Sequence, residues 1–138
     1  MKSKWNNKQC PLCSEGTLQE GSQKQTLLYR GREYEYTTKG AFCNHCHDGF
    51  PDYDKCEEAN WKTFRDHVDA EEVAELARIR KKLKLTQKEA AQITGGGHNA
   101  FSRYERGEAK PIQAVLNLFK LLDHHPDLLN ELRNIRTA

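Results

Sequence analysis

The 138-residue chain carries 22 Lys and Arg against 20 Asp and Glu, with 36% hydrophobic and 30% charged residues. That balance excludes one large apolar core and favours two small domains, the first too poor in aliphatic side chains to offset its chain entropy by burial alone. A structural metal is the expected supplement. No segment approaches the roughly 18 to 20 continuous apolar residues of a membrane span, and the opening Met1-Lys2-Ser3-Lys4-Trp5-Asn6-Asn7 lacks the apolar stretch of a signal peptide. The chain therefore reads as cytoplasmic, with no membrane partner. In that reducing compartment paired cysteines are expected as metal ligands rather than disulfides.

The first motif is Cys10-Pro11-Leu12-Cys13. From Gly16 to Lys39 the chain alternates loosely, and Leu27-Leu28-Tyr29 and Tyr34-Glu35-Tyr36-Thr37, separated by Arg30-Gly31-Arg32, predict short antiparallel strands. The second couple, Cys43-Asn44-His45-Cys46, follows. Two residues between cysteines let both thiolates point into one corner of a tetrahedron, and two such knuckles complete it. The 29 residues between Cys13 and Cys43 suffice for a hairpin that joins the knuckles as in a zinc ribbon. Four thiolates leave no open coordination position, so one structural zinc per chain is expected at Cys10, Cys13, Cys43 and Cys46, without water activation. The competing readings are two unrelated reduced couples or a redox CxxC, and the lack of a βαβ pattern weighs against the latter. His45 lies between two presumed ligands and is poorly placed to bind. Cys56 is expected as a small buried or half-buried hydrophobe rather than a fifth ligand.

Trp61, Phe64 and Val68 recur at helical spacing, predicting a helix from about Asp54 to Asp66, and a second runs from about Asp69 to Lys84. A domain boundary is expected near Asp66 to Glu71, giving a zinc domain over 1–68 and a helical domain over 69–138. No Gly or Pro marks it, so a short or helical linker is compatible. Residues 70–138 hold 12 Lys and Arg against 9 Asp and Glu, and Arg78, Arg80, Lys81, Lys82, Lys84 and Lys88 fall within eleven residues. Such density suits phosphate contacts, the alternative being a solvated helix face.

Thr86-Gln87-Lys88-Glu89 has the form of a capping box that opens a helix. Gly95-Gly96-Gly97 then supplies a turn, and Asn99 to Arg106 a second helix closed by Gly107, with Phe101 and Tyr104 inward. This is a helix-turn-helix. Asn99 and Arg103, four apart, project from one face about 40° and 6 Å apart. Asn pairs bidentately with adenine and Arg with guanine in the major groove, so that face can read two nearby bases. The alternative is an Asn that merely caps and an Arg that is merely solvated.

With these residues in view, Gly95-Gly96-Gly97-His98-Asn99-Ala100-Phe101-Ser102-Arg103-Tyr104-Glu105-Arg106-Gly107, preceded by Leu85-Thr86-Gln87-Lys88-Glu89-Ala90, resembles the signature of MqsA-type antitoxins, a branch of the Xre/Cro-like helix-turn-helix group. The CPLC and CNHC couples resemble that family's zinc domain, and the likeness extends to Leu122-Asp123-His124-His125-Pro126-Asp127-Leu128-Leu129-Asn130-Glu131. The resemblance implies an α+β protein with a small zinc-ribbon-like amino-terminal domain and an all-α five-helix carboxyl-terminal domain. It implies a type II antitoxin, not an enzyme, whose zinc domain neutralises an MqsR-like messenger-RNA-cleaving toxin. Its second domain would dimerise and repress the toxin–antitoxin operon on palindromic double-stranded DNA. Asn99 and Arg103 are the implied base readers, with Gln87, Lys88, His98 and Ser102 completing the expected DNA-contacting set. The extension Met1 to Lys8, Cys56 and His98 depart from the family pattern.

One helix-turn-helix buries roughly 600 to 1,000 Å² and rarely achieves operator specificity alone, so a homodimer is expected, with recognition helices about 34 to 36 Å apart. Two predicted helices, Pro111 to Asp123 and Pro126 to Arg136, carry more apolar side chains than the core needs: Val115, Leu118, Phe119 and Leu122 on the first, Leu128, Leu129, Leu132 and Ile135 on the second. Part of that set is expected at the two-fold interface. The other functional class is a stand-alone zinc-containing regulator, or a metal or redox sensor. Catalysis finds no Ser, His and Asp set, and Gly95-Gly96-Gly97 lacks the Lys-Ser/Thr of a phosphate loop.

Overall fold

The computed structural model of the protein describes residues 3–135. They fall into two compact units that divide between Arg65 and Asp66. In the first, strands β1 (Leu18–Tyr29) and β2 (Arg32–Cys43) pair antiparallel over their whole length, Leu18 opposite Cys43 and Tyr29 opposite Arg32. Arg30 and Gly31 make the turn, with φ of +50° and +81°. Two successive positive φ angles are what a two-residue turn of the type I′ kind needs to match the strand twist. A third strand, β3 (Gly49–Pro51), pairs with the base of β2, giving the order β1-β2-β3. The hairpin is longer than the two apolar segments predicted. Its polar stretch from Gln19 to Thr26 lacks apolar alternation, and its pairing is set by the turn at one end and the cysteine knuckles at the other. Three residues are too few for β3 to show a period.

Two clusters hold this unit. At the base, Cys10, Leu18, Ala41 and Cys43 are buried, with Trp5 and Phe50 packed against them. The described part of the amino-terminal extension belongs to this base: Trp5 stacks on Phe50 at 4.4 Å between centroids, and the Asn7 amide donates to the Leu18 carbonyl at 2.8 Å. Nearer the hairpin turn, Tyr34 meets Trp61 at 5.3 Å and Phe64 at 4.9 Å, and Tyr29 meets Trp61 edge-on at 5.9 Å. Such ring pairs each contribute about 0.5 to 1.5 kcal/mol beyond their area.

Trp61 and Phe64 lie on α1 (Lys55–Lys82), a single 28-residue helix where two were expected. Nothing between Lys55 and Lys82 is Gly or Pro, so no residue interrupts the hydrogen-bond ladder at the expected boundary. The Asp54 carboxylate accepts the Cys56 amide at 2.8 Å and opens the helix, while Arg80, Lys81 and Lys82 sit at its negative end. Cys56 is exposed, correcting the expected half-buried hydrophobe. At 100° per residue it lies about 110° round the helix from the face that Trp61 and Phe64 turn to the hairpin.

The second unit is all helical. The end of α1 packs with α2 (Gln87–Thr94), α3 (Ala100–Glu105), α4 (Gln113–His124) and α5 (Leu128–Ile135). Phe101 and Phe119 sit fully buried at its centre, 5.1 Å apart, with Leu76, Ile79, Ala90 and Leu122 around them. The end expected for the last helix, Arg136, lies outside the described residues. Thr86 caps α2, its hydroxyl accepting the Glu89 amide at 3.1 Å. Gly95 ends that helix at φ +77°, a left-handed conformation in which a side chain is strained.

Ion pairs tie these helices together. Arg80 Nε donates to Glu105 at 2.9 Å and its guanidinium also reaches the Leu85 carbonyl at 2.7 Å. Arg78 and Lys82 both hold Asp123, at 2.8 and 2.7 Å. The hydrogen bond from Arg78, followed by that from Lys82, draws the Asp123 carboxyl down from 3.8 to about 2. A carboxyl pKa lowered by folding stabilises the folded state above its unfolded value and loses that contribution as pH falls through the folded value. Stability measured by thermal melts should therefore decline between about pH 4 and pH 2, and Asp123→Asn should flatten that part of the curve; an unchanged acid limb would remove this pair from the account.

Candidate metal knot and candidate nucleic-acid interface

The four knuckle cysteines converge. Their sulfurs all lie within 4.8 Å of one another, Cys10 Sγ being 3.8 Å from Cys46 Sγ and Cys13 Sγ 3.6 Å from Cys43 Sγ. A tetrahedral ion with metal–sulfur bonds of about 2.3 Å requires sulfurs about 3.8 Å apart, so these four residues can hold one metal ion. The two knuckles are built alike. The residue after each second cysteine, Ser14 and His47, adopts positive φ of 61° and 64°. The Ser14 amide donates to the Cys10 carbonyl at 2.9 Å and the His47 amide to the Cys43 carbonyl at 3.1 Å.

Amides also face the sulfurs. His45 N and Cys46 N donate to Cys43 Sγ at 3.3 and 3.4 Å. The backbone amides of Glu15 and Gly16 pull the Cys13 thiol down to about 6. At Cys46 the amide of Asp48 acts in the same direction, but desolvation and the neighbouring sulfurs outweigh it and hold that thiol at about 12. His45 turns to Glu15, 3.1 Å away, and does not join the cluster. Among the described residues, no other group of His, Cys, Asp and Glu side chains meets the geometry of a metal site.

Gly16 is the residue that reading the sequence missed. A Cβ added there would stand 2.2 Å from Cys43 Sγ and 2.8 Å from Asn44 Oδ1. Its signal, a Gly three residues after Cys13, cannot be told from an ordinary turn glycine. Gly16→Ala should displace a ligand sulfur and weaken metal binding by at least tenfold in a chelator competition, while leaving the helical unit's melting unchanged; retained affinity would show that the knuckle can yield.

In the second unit, α3 presents the predicted base readers. Asn99 precedes its first turn without using its side chain as a cap, and Arg103 lies one turn on; both are exposed. Neither side chain has a hydrogen-bond or ion-pair partner among the described residues. With His98 and Lys110 they border a shallow recess of about 400 Å³. Lys110, brought in by the loop after α3, pairs with Asp69 at 2.8 Å and was not legible in the motif.

The other expected contacts differ in setting. Lys88 is exposed on the first turn of α2, whereas Ser102 is half-buried. The Gln87 side-chain amide donates to Glu105, so it is engaged within the chain. The basic run is likewise divided: Arg78, Arg80 and Lys82 are held in the ion pairs above, and Lys81, Lys84 and Lys88 remain exposed.

Fold and site together define a protein that joins a four-cysteine knot, carried on a hairpin, to a helical unit containing a helix-turn-helix. The family described as "Antitoxin component of bacterial toxin-antitoxin system, MqsA" matches residues 8–133. The chain belongs to this MqsA antitoxin family. Antitoxin MqsA of Escherichia coli (strain K12) is 43% identical to it over 129 residues, which cover 90% of this chain and 98% of that protein. The chain is thus an antitoxin of a toxin–antitoxin system. No helix among the described residues is long and apolar enough to cross a membrane.

Proposed function

We propose that this antitoxin neutralises its cognate toxin, an MqsR-like ribonuclease, through a zinc-bearing domain over residues 1–68. Residues 69–138 dimerise and repress the antitoxin's own operon. Zinc is the metal that a closed set of four thiolates at these distances suits best, and its role is structural. The observation that carries the DNA half is the state of Asn99 and Arg103: exposed, unpartnered and on one side of α3, while nearby Gln87 and Arg80 are each bound to Glu105. Free polar groups held on a rigid helix are available for base edges without first breaking intrachain bonds.

The dimer is supported by apolar surface the core leaves uncovered. Val115, Phe119, Leu122 and Leu129 are buried. Leu121 and Ile135 are 51% and 71% exposed and border a groove of about 240 Å³ with Leu118 and Leu132. A self-complementary contact there would cover both copies at once.

The test is co-expression of the chain with the product of the neighbouring reading frame. Growth rescue, a stable complex and specific binding to the upstream DNA are the expected results. Loss of rescue with retained DNA binding that follows zinc or oxidant would instead assign a stand-alone metal or redox sensor.

A further inference from the structure

The aromatic side of the hairpin ends in a cleft that the antitoxin reading does not use. It occupies about 490 Å³ between β2, the segment after β3 and the first turns of α1. Tyr34, Tyr36, Tyr53, Trp61 and Leu27 supply its apolar lining. Asp52, Asp54, Glu57 and Glu58 stand on the same lining, against one cation, Lys39. Two of these acids are fixed by the rings. Tyr34 donates to Glu57 at 2.5 Å and Tyr53 donates to Glu58. The bond from Tyr34 to Glu57, with desolvation, pushes the tyrosine up to about 12, so at neutral pH it remains the donor.

Aromatic faces beside held carboxylates form a receptor for a planar cation with an apolar stem. A guanidinium stacks on rings and pairs with carboxylates in one geometry, and desolvated stacking of this kind is the strongest case of cation–π attraction. Trp61 already carries one guanidinium, that of Arg65, at 5.5 Å from the ring centroid. A small-molecule cation would need a deeper enclosure. A cleft bordered by an exposed strand and a helix end suits a side chain presented by another protein. The charge excess, four carboxylates to one ammonium, selects a basic partner surface.

We infer that this cleft is a docking pocket for an arginine side chain on a basic face of the toxin. The inference rests on the antitoxin reading for the identity of the partner, but not for the chemistry of the pocket. Arginine is, with Trp and Tyr, one of the side chains enriched among the anchors at the centre of an interface.

The test uses the full-length zinc-loaded chain in two arms. In the first, the isotope-labelled chain is titrated with acetyl-Ala-Leu-Arg-Leu-Ala-amide and with its Glu analogue. Shifts at the Trp61 indole and at Tyr34 and Tyr53 with the Arg peptide alone are expected. In the second, affinity for the neighbouring frame's product is compared for the wild type and Glu57→Gln/Glu58→Gln, a pair that keeps the shape and the tyrosine hydrogen bonds. A loss of tenfold or more, with a shallower salt dependence, is expected. Asp52→Asn checks that the loss follows charge if the double variant fails to fold. Unchanged toxin affinity in the folded variants, or equal shifts with both peptides, would overturn the pocket while leaving the antitoxin role intact. A wild-type chain that binds no such product would undo the reading of the partner, and the peptide arm would then decide the pocket alone.

Discussion

Removing the metal should unfold the hairpin base and leave the helical unit folded. The base has few apolar residues of its own: Cys10 and Cys43 are two of the four side chains buried there, so the proposed ligands are also the core. Structural zinc contributes about 10 to 16 kcal/mol of apparent binding energy in small zinc domains, more than a base of this size can replace. Chelation, or Cys43→Ser, should therefore abolish protection of the β1–β2 amides near Leu18 and Cys43 in hydrogen exchange. The aromatic cluster around Trp61 is further along the hairpin and should lose protection only in part. Toxin binding should fail in the same preparation, whereas operator binding should persist. A chelator that abolished operator binding at once would show that the two units act as one.

Arg103→Ala should weaken operator binding by roughly 1 to 3 kcal/mol, about 5- to 150-fold, and relax preference at one base position. The side chain is exposed and unpartnered, so its removal leaves no buried group unsatisfied, and melting should stay within about 0.5 kcal/mol of wild type. Lys88→Ala should differ in kind. A phosphate contact carries no sequence information, so specific and random DNA should weaken together and the salt slope fall by about one. Gln87→Ala adds a contrast, because its amide bonds Glu105: part of its effect should appear in stability as well as in DNA affinity. Footprinting and salt-series titrations on operator and scrambled DNA separate these outcomes. Equal losses on both DNAs from Arg103→Ala would remove it as a base reader.

Local chemistry was legible wherever a few adjacent residues decide it. The cysteine couples announced two knuckles, Thr86 with Glu89 announced a helix start, and Arg30-Gly31 lay between two segments that do pair. The length of the hairpin was not legible, because its polar strands are held by pairing and by both ends rather than by an apolar period. Neither was the continuity of α1: two apolar stretches out of phase look like two helices, although the backbone needs only that nothing break it.

The sequence by itself determined the kinds of residue at each site and their spacing: four thiols in two couples, and Asn99 one turn before Arg103. These follow from neighbours along the chain, whose geometry the backbone dictates. Only the tertiary structure decided which of them are free. It brought Cys10 within 3.8 Å of Cys46 across 36 residues, and set Gly16 against the Cys43 sulfur. It also bound Gln87 and Arg80 to Glu105 while leaving Asn99 and Arg103 open, and gathered four carboxylates and four aromatic rings into one cleft. Contacts between distant residues depend on how whole elements pack, and no local pattern records that.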